Sequence, residues 1–107
     1  MKLNIRNIVR KIPIVRRIYI SISVRLLKFF DKKNFLIKFK GINYFLNLND
    51  PIDKSIILFD YYENDQLENT LYLISKYKVN IFFDIGAHCG IYSLIIANKY
   101  NKISVYS

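Results

Sequence analysis

Ile81-Phe82-Phe83-Asp84-Ile85-Gly86-Ala87-His88-Cys89-Gly90 is an apolar run that ends in a carboxylate and then passes through two glycines. Residues 79–83 are apolar almost without a break, which is the pattern of a buried parallel strand. Residues 86–90 form a tight connection, residues 91–100 carry a helical pattern, and residues 103–106 return as a second strand. The order is β-α-β. Gly86 can take a positive φ and offers no side chain, so the chain turns sharply there and a ligand can approach the backbone closely. Gly90 lets the helix begin beside strand and ligand, where backbone amides can meet an anionic group such as an amino-acid carboxylate. Nucleotide-like ligands bind at this place, outside the carboxyl ends of parallel strands.

The charge at the strand end separates the cofactors. Asp84 would attract the ammonium of a bound amino-acid moiety and repel a pyrophosphate. S-adenosylmethionine carries that ammonium and a sulfonium, and no phosphate. The dinucleotide fingerprint Gly-x-Gly-x-x-Gly is also not met, because His88 stands at the second glycine position and the spacing from Gly86 to Gly90 is wrong for it. The residues therefore favour the methyl donor over NAD. His88 and Cys89 are adjacent, but neighbouring side chains on a tight turn point apart and no third orienting group is evident, so both read as loop residues and not as a nucleophile pair.

The string FFDIGAHCGIYSLIIA (residues 82–97) resembles the glycine motif of the FkbM family of methyltransferases, which usually reads Asp-Ile-Gly-Ala-Asn-x-Gly followed by an aromatic-Ser-Leu helix start. Tyr92, Ser93 and Leu94 fit that continuation. Upstream, a hairpin, an Asp-Pro break and Tyr61-Tyr62-Glu63 before a helix are similar to the segment that precedes the methyltransferase core in the family. The resemblance spans roughly residues 35–107 and is strong from Ile81 onward. It implies a class I S-adenosylmethionine enzyme that methylates hydroxyl groups on sugars, polysaccharide components or natural products. Asp84, Gly86 and Gly90 would hold the methionine end of the donor, with Ala87 and His88 lining the turn. His88 departs from the family's Asn. The family's second strand ends in Phe-Glu-Pro, whose Glu would hold the ribose, and Val105-Tyr106-Ser107 stand where that triplet should begin. The resemblance thus implies a truncated Rossmann-like domain, inactive by itself, whose general base and acceptor site are not among these residues. Tight cofactor binding is not expected of two strands without a ribose carboxylate.

Charge is unevenly spread over the 107 residues. Residues 1–33 hold ten Lys or Arg and one acid, Asp31, whereas residues 34–107 hold seven of each sign, so the net +9 lies in the first third. Such a segment points to an anionic surface. Ile5, Ile8, Ile12, Val15, Tyr19, Ile22, Leu26 and Phe29 follow at steps of three and four, which makes one apolar stripe on a helix that Pro13 should break or kink. The period-two run Ile18, Ile20, Ile22, Val24 would suit a strand instead. Cationic flanks (Lys11, Arg16, Arg25, Lys32) disfavour a symmetric coiled coil. A peripheral helix on an anionic membrane fits the pattern, as does a helix packed on other parts of the protein. Nucleic acid is not an expected partner, since no aromatic platform or known module accompanies the charge. The longest charge-free stretch there, residues 18–24, is far below the roughly 20 residues that cross a bilayer.

Between these segments, Phe35, Ile37 and Phe39, then Tyr44, Leu46 and Leu48, alternate on either side of Gly41 and predict a β-hairpin. Asn49-Asp50-Pro51 breaks regular structure, and residues 56–59 read as a short strand or turn. Asp60, Glu63, Asp65 and Glu68 suit the first turns of a helix reaching about Tyr77, with Leu67, Leu71 and Ile74 on its buried side. One cysteine and one histidine exclude a disulfide within the chain and a zinc cage of Cys and His, and no secretory signal is visible, so a reducing cytoplasm is the expected compartment. The organisation expected is α/β: a basic amphipathic helical segment over residues 1–33, a hairpin and helix over 34–78, and the start of a methyltransferase domain over 79–107.

Overall fold

The computed structural model describes residues 5–107. It is mixed α/β, in the order α1 (Ile5–Lys11), α2 (Pro13–Phe29), β1 (Asn34–Phe39), β2 (Ile42–Asn47), α3 (Pro51–Phe59), α4 (Asn64–Lys76), β3 (Ile81–Phe83), α5 (Ile91–Lys99) and β4 (Ser104–Tyr106). Two compact units result: one ends at Tyr62 and the other spans Glu63–Ser107.

In the first unit the basic lead-in expected over residues 1–33 is helical over Ile5–Lys11 and Pro13–Phe29 and divides where expected, its first four residues lying outside the described ones. Pro13 is the first residue of α2, the position where a missing amide costs nothing. The 3–4 stripe is present, but its members Val15, Ile22, Leu26 and Phe29 stay on the solvent side of α2, with Ile22 54% and Leu26 56% exposed. Tyr19, Ile20, Ser23, Val24 and Leu27 are the half-buried residues of α2. Tyr19 donates its hydroxyl to the Leu58 carbonyl at 3.3 Å and sets its ring 5.5 Å from that of Phe59. One residue advances the helix by about 100°, so the packed face, with Ile20, Val24 and Leu27 as its apolar members, lies to one side of the stripe and shares only Tyr19 with it. Apolar residues therefore cover two faces of α2, and one meets protein.

The hairpin forms with the expected faces. β1 and β2 pair antiparallel from Asn34↔Asn47 to Phe39↔Ile42. Lys40 and Gly41 make the turn with φ of 49° and 84°. Phe39, Tyr44, Leu46 and Leu48 are buried, and their sequence neighbours face out. The strand or turn expected over residues 56–59 is instead the end of α3. Asp50 caps this helix, accepting from the Ile52 and Asp53 amides at 2.8 and 3.0 Å, and Pro51 follows at the first helical position. The Asp-Pro pair that reads as a break is thus a start signal. Ile56, Leu58 and Phe59 of α3 complete the core of this unit. Asp53, buried on the same helix, accepts the Asn47 amide at 2.9 Å and ties α3 to the end of β2.

The second unit places α4 and α5 with a two-stranded parallel sheet. β3 and β4 pair in the register Ile81↔Ser104, Phe82↔Val105, Phe83↔Tyr106. Backbone bonds from Ser104 to the Asn80 carbonyl (2.9 Å) and from Asp84 to the Tyr106 carbonyl (2.7 Å) extend the ladder at both ends. Leu67 and Ile74 of α4 and Ile91, Ile95 and Ile96 of α5 are buried. Tyr100 donates to the Leu71 carbonyl at 3.2 Å, which fixes the end of α5 to α4. The strand expected to be buried on both faces is half covered: Phe82 and Val105 are half-buried, while Ile81 and Phe83 are 54% and 67% exposed. A continuous apolar run fits a covered strand, yet here helices cover one face alone.

Candidate functional site

The glycine loop between β3 and α5 is built by three left-handed residues. Gly86, His88 and Gly90 have φ of 76°, 53° and 77°. The positive φ expected at Gly86 is found, and Gly90 and His88 share it. A Cβ built on Gly86 would meet nothing within 4 Å, and one on Gly90 would meet only the Leu94 side chain at 3.9 Å. The space on the backbone is therefore open at Gly86, while at Gly90 the Leu94 side chain stands in van der Waals reach. His88 is an L-residue held in the left-handed region, where Asn, Asp and His are the side chains enriched.

Asp84 sits at the carboxyl end of β3, its amide fixed by Tyr106. One oxygen, Oδ2, accepts the Ser93 hydroxyl at 2.7 Å and the Ser93 amide at 3.2 Å. Ser93 is the third residue of α5, and Gly90 at the cap has no side chain to offer. The strand-end carboxylate thus performs the capping task from outside the helix. Gly90 spends its own amide on the Ala87 carbonyl at 2.8 Å, closing a tight turn. That amide, expected to meet an anion, is therefore already used. What Gly90 contributes is its positive φ.

Two further residues join this site. Tyr92 donates its hydroxyl to Glu63 Oε2 at 2.7 Å, so the residue before α4 is held at the first turn of α5. Both stand in motifs evident in the sequence, Glu63 in Tyr61-Tyr62-Glu63 and Tyr92 in the run after Gly90, but nothing in their separation of 29 positions signals contact. Ser93 likewise is legible as part of a motif, and its bond to Asp84 needs the turn geometry. Ala87 and Cys89 are half-buried, and His88 is exposed. The structure therefore brings Asp84, Gly86, Ala87, His88 and Gly90 into one loop, with Glu63, Tyr92 and Ser93 behind it.

Comparison with protein-family models, with curated proteins and with solved structures finds no match to this chain.

Proposed function

We propose that the loop from Asp84 to Gly90 is the S-adenosylmethionine-binding turn of a class I methyltransferase of FkbM type, acting on a hydroxyl of a sugar, polysaccharide component or natural product. The observation that supports this most is the parallel β3-α5-β4 unit with a carboxylate at the strand end and open space over Gly86. The bond between Glu63 and Tyr92 adds to it, because it joins the two separate strings that resemble the family. The residues fit the donor. Asp84 Oδ2 is committed to Ser93, and the rest of the carboxylate can meet an ammonium as the Ser93 bonds persist. Bare backbone at Gly86 admits the amino-acid moiety, and Ala87 and His88 line the turn. A donor held there would supply a methyl group to an acceptor hydroxyl by in-line displacement, the S–CH3 bond breaking to leave S-adenosylhomocysteine and the hydroxyl proton passing to a base, a reaction in which the protein chiefly positions the two groups.

The test is calorimetry of the chain with S-adenosylmethionine, S-adenosylhomocysteine and NAD. Two strands give half a crevice, so a weak but saturable complex with both sulfur nucleosides is expected, near the millimolar range that corresponds to about 4 kcal/mol. Binding of NAD as strong as theirs, or no saturation by either on a folded chain, contradicts the proposal.

A second reading has its own observation, the solvent-facing apolar stripe of α2. Among the described residues no helix is long and apolar enough to cross a membrane. A helix whose second apolar face is flanked by Arg17, Arg25 and Lys28 is suited to lie on an anionic lipid surface. The two readings concern different units and are compatible.

A further inference from the structure

The first unit contains a cavity of about 180 Å³ between its basic helices and α3. Arg10 of α1, Arg16 of α2 and Lys54 of α3 line it, and none of its lining residues is acidic. Three cations that share one concave site raise the potential there and repel one another unless an anion joins them. Arg10 is also pre-oriented. Its guanidinium lies over the Tyr61 ring, 3.6 Å from the centroid, and its buried Nε has no hydrogen-bond partner. A stacked guanidinium keeps its donor edges directed in a plane, the geometry that matches two oxygens of one anion. A buried, charged donor left unsatisfied is a demand for an acceptor. Ile20 and Phe59 add apolar lining, and the Tyr61 ring lies beneath the Arg10 guanidinium. Ser55 donates to the Tyr61 carbonyl at 2.7 Å, and this bond holds the rim on the α3 side.

We propose that this cavity binds an organic phosphate monoester, with the phosphate among Arg10, Arg16 and Lys54 and a small apolar or ring portion against Ile20 and Phe59. A dianion offsets most of three positive charges. The volume exceeds several times the roughly 30 Å³ share of one water, which leaves room for a phosphate and the atoms attached to it. The site lies wholly in the first unit and does not rest on the methyl-donor reading of the glycine loop. Ile22 and Leu26 of the exposed stripe do not line it, so it is also separable from membrane contact through that stripe.

The experiment is calorimetry of the full chain at fixed ionic strength with two probes that carry the same headgroup chemistry, phenyl phosphate in solution and phosphatidic acid in phosphatidylcholine vesicles. Saturable binding of phenyl phosphate is expected, weakened about tenfold or more by Arg16→Gln with Lys54→Gln, since each removes a charged partner of the anion. Lys38→Gln, an exposed cation on the hairpin, should leave it unchanged. Arg10→Gln should weaken binding at least as much; if that variant does not fold, the Arg16 and Lys54 pair carries the test. The same loss on phosphatidic acid vesicles, beyond that seen for Lys38→Gln, assigns the site to a lipid headgroup; a loss confined to phenyl phosphate assigns it to a soluble ester. Failure of both probes to saturate, or a Lys38→Gln variant that loses as much as the cavity variants, overturns the proposal.

Discussion

Asp84 holds Ser93 through one carboxylate oxygen, so substitutions there separate folding from recognition. Asp84→Ala removes both bonds and leaves the first turn of α5 uncapped, and urea unfolding should show a loss of about 1 to 2 kcal/mol. Asp84→Asn keeps an acceptor for Ser93 and should lose clearly less stability. It also loses the charge, so its binding of S-adenosylmethionine should fall as far as that of the alanine variant. Equal binding by Asp84→Asn and the unaltered chain would mean that the carboxylate serves the helix alone. Gly86 permits a similar separation. No protein atom stands where its Cβ would go, so Gly86→Ala should cost only the strain of a left-handed alanine, about 1 to 2 kcal/mol. Donor binding should drop beyond that, because the methyl group fills the approach to the backbone; unfolding curves and calorimetry on one sample check both. The need for Gly86 is legible in the sequence from the abrupt passage of an apolar run into a glycine. The left-handed His88 is not, since His is enriched in that region but most histidines lie outside it.

At the scale of elements, legibility follows periodicity. The hairpin is readable because alternation changes phase at Gly41, and a slip of one residue would turn Phe39 and Leu46 outward. The break at Pro13 is readable because proline lacks an amide. α3 departs from its expected strand or turn for a specific reason: Ile56, Ile57, Leu58 and Phe59 form an apolar, partly β-branched run that suits a strand, while the deciding signal lies upstream in the Asp50-Pro51 cap. Asp50→Ala should therefore lower stability by about 1 kcal/mol in urea unfolding and reduce helical ellipticity. A change below a few tenths would mean that contacts of Ile56 and Phe59 hold the helix without its cap. For β3 the run of apolar residues is legible, but its half-covered state is not, because burial depends on what lies over the sheet and not on the strand. Phe83 instead stacks on Tyr106 of the neighbouring strand, their centroids 5.3 Å apart.

Across the whole molecule the charge asymmetry is the feature that composition alone reveals. What it does not reveal is which side of α2 meets protein, because apolar residues cover two faces and a sequence periodicity does not choose between them. The exposed face predicts sedimentation with vesicles that contain anionic lipid, weakened by salt and by Ile22→Asp with Leu26→Asp. These two residues are more than half exposed, so the variant should keep its fold, as circular dichroism can verify. Equal sedimentation with neutral vesicles, or no effect of the aspartates, removes the stripe as a membrane contact. In the other unit, the β-α-β order and the strand-end carboxylate are legible, and the closing contacts Asp84 to Ser93 and Glu63 to Tyr92 are not, because they join positions whose distance in the chain hides their distance in space.

Backbone amide shifts during titration with S-adenosylmethionine test the central claim most directly. The largest shifts should fall on Gly86, Ala87, His88 and Gly90, disappear in Asp84→Asn, and be absent when adenosine without its methionine moiety is added at the same concentration. Shifts centred elsewhere in the chain, or an equal response to adenosine alone, would contradict the account of Asp84 as the residue that receives the donor's ammonium.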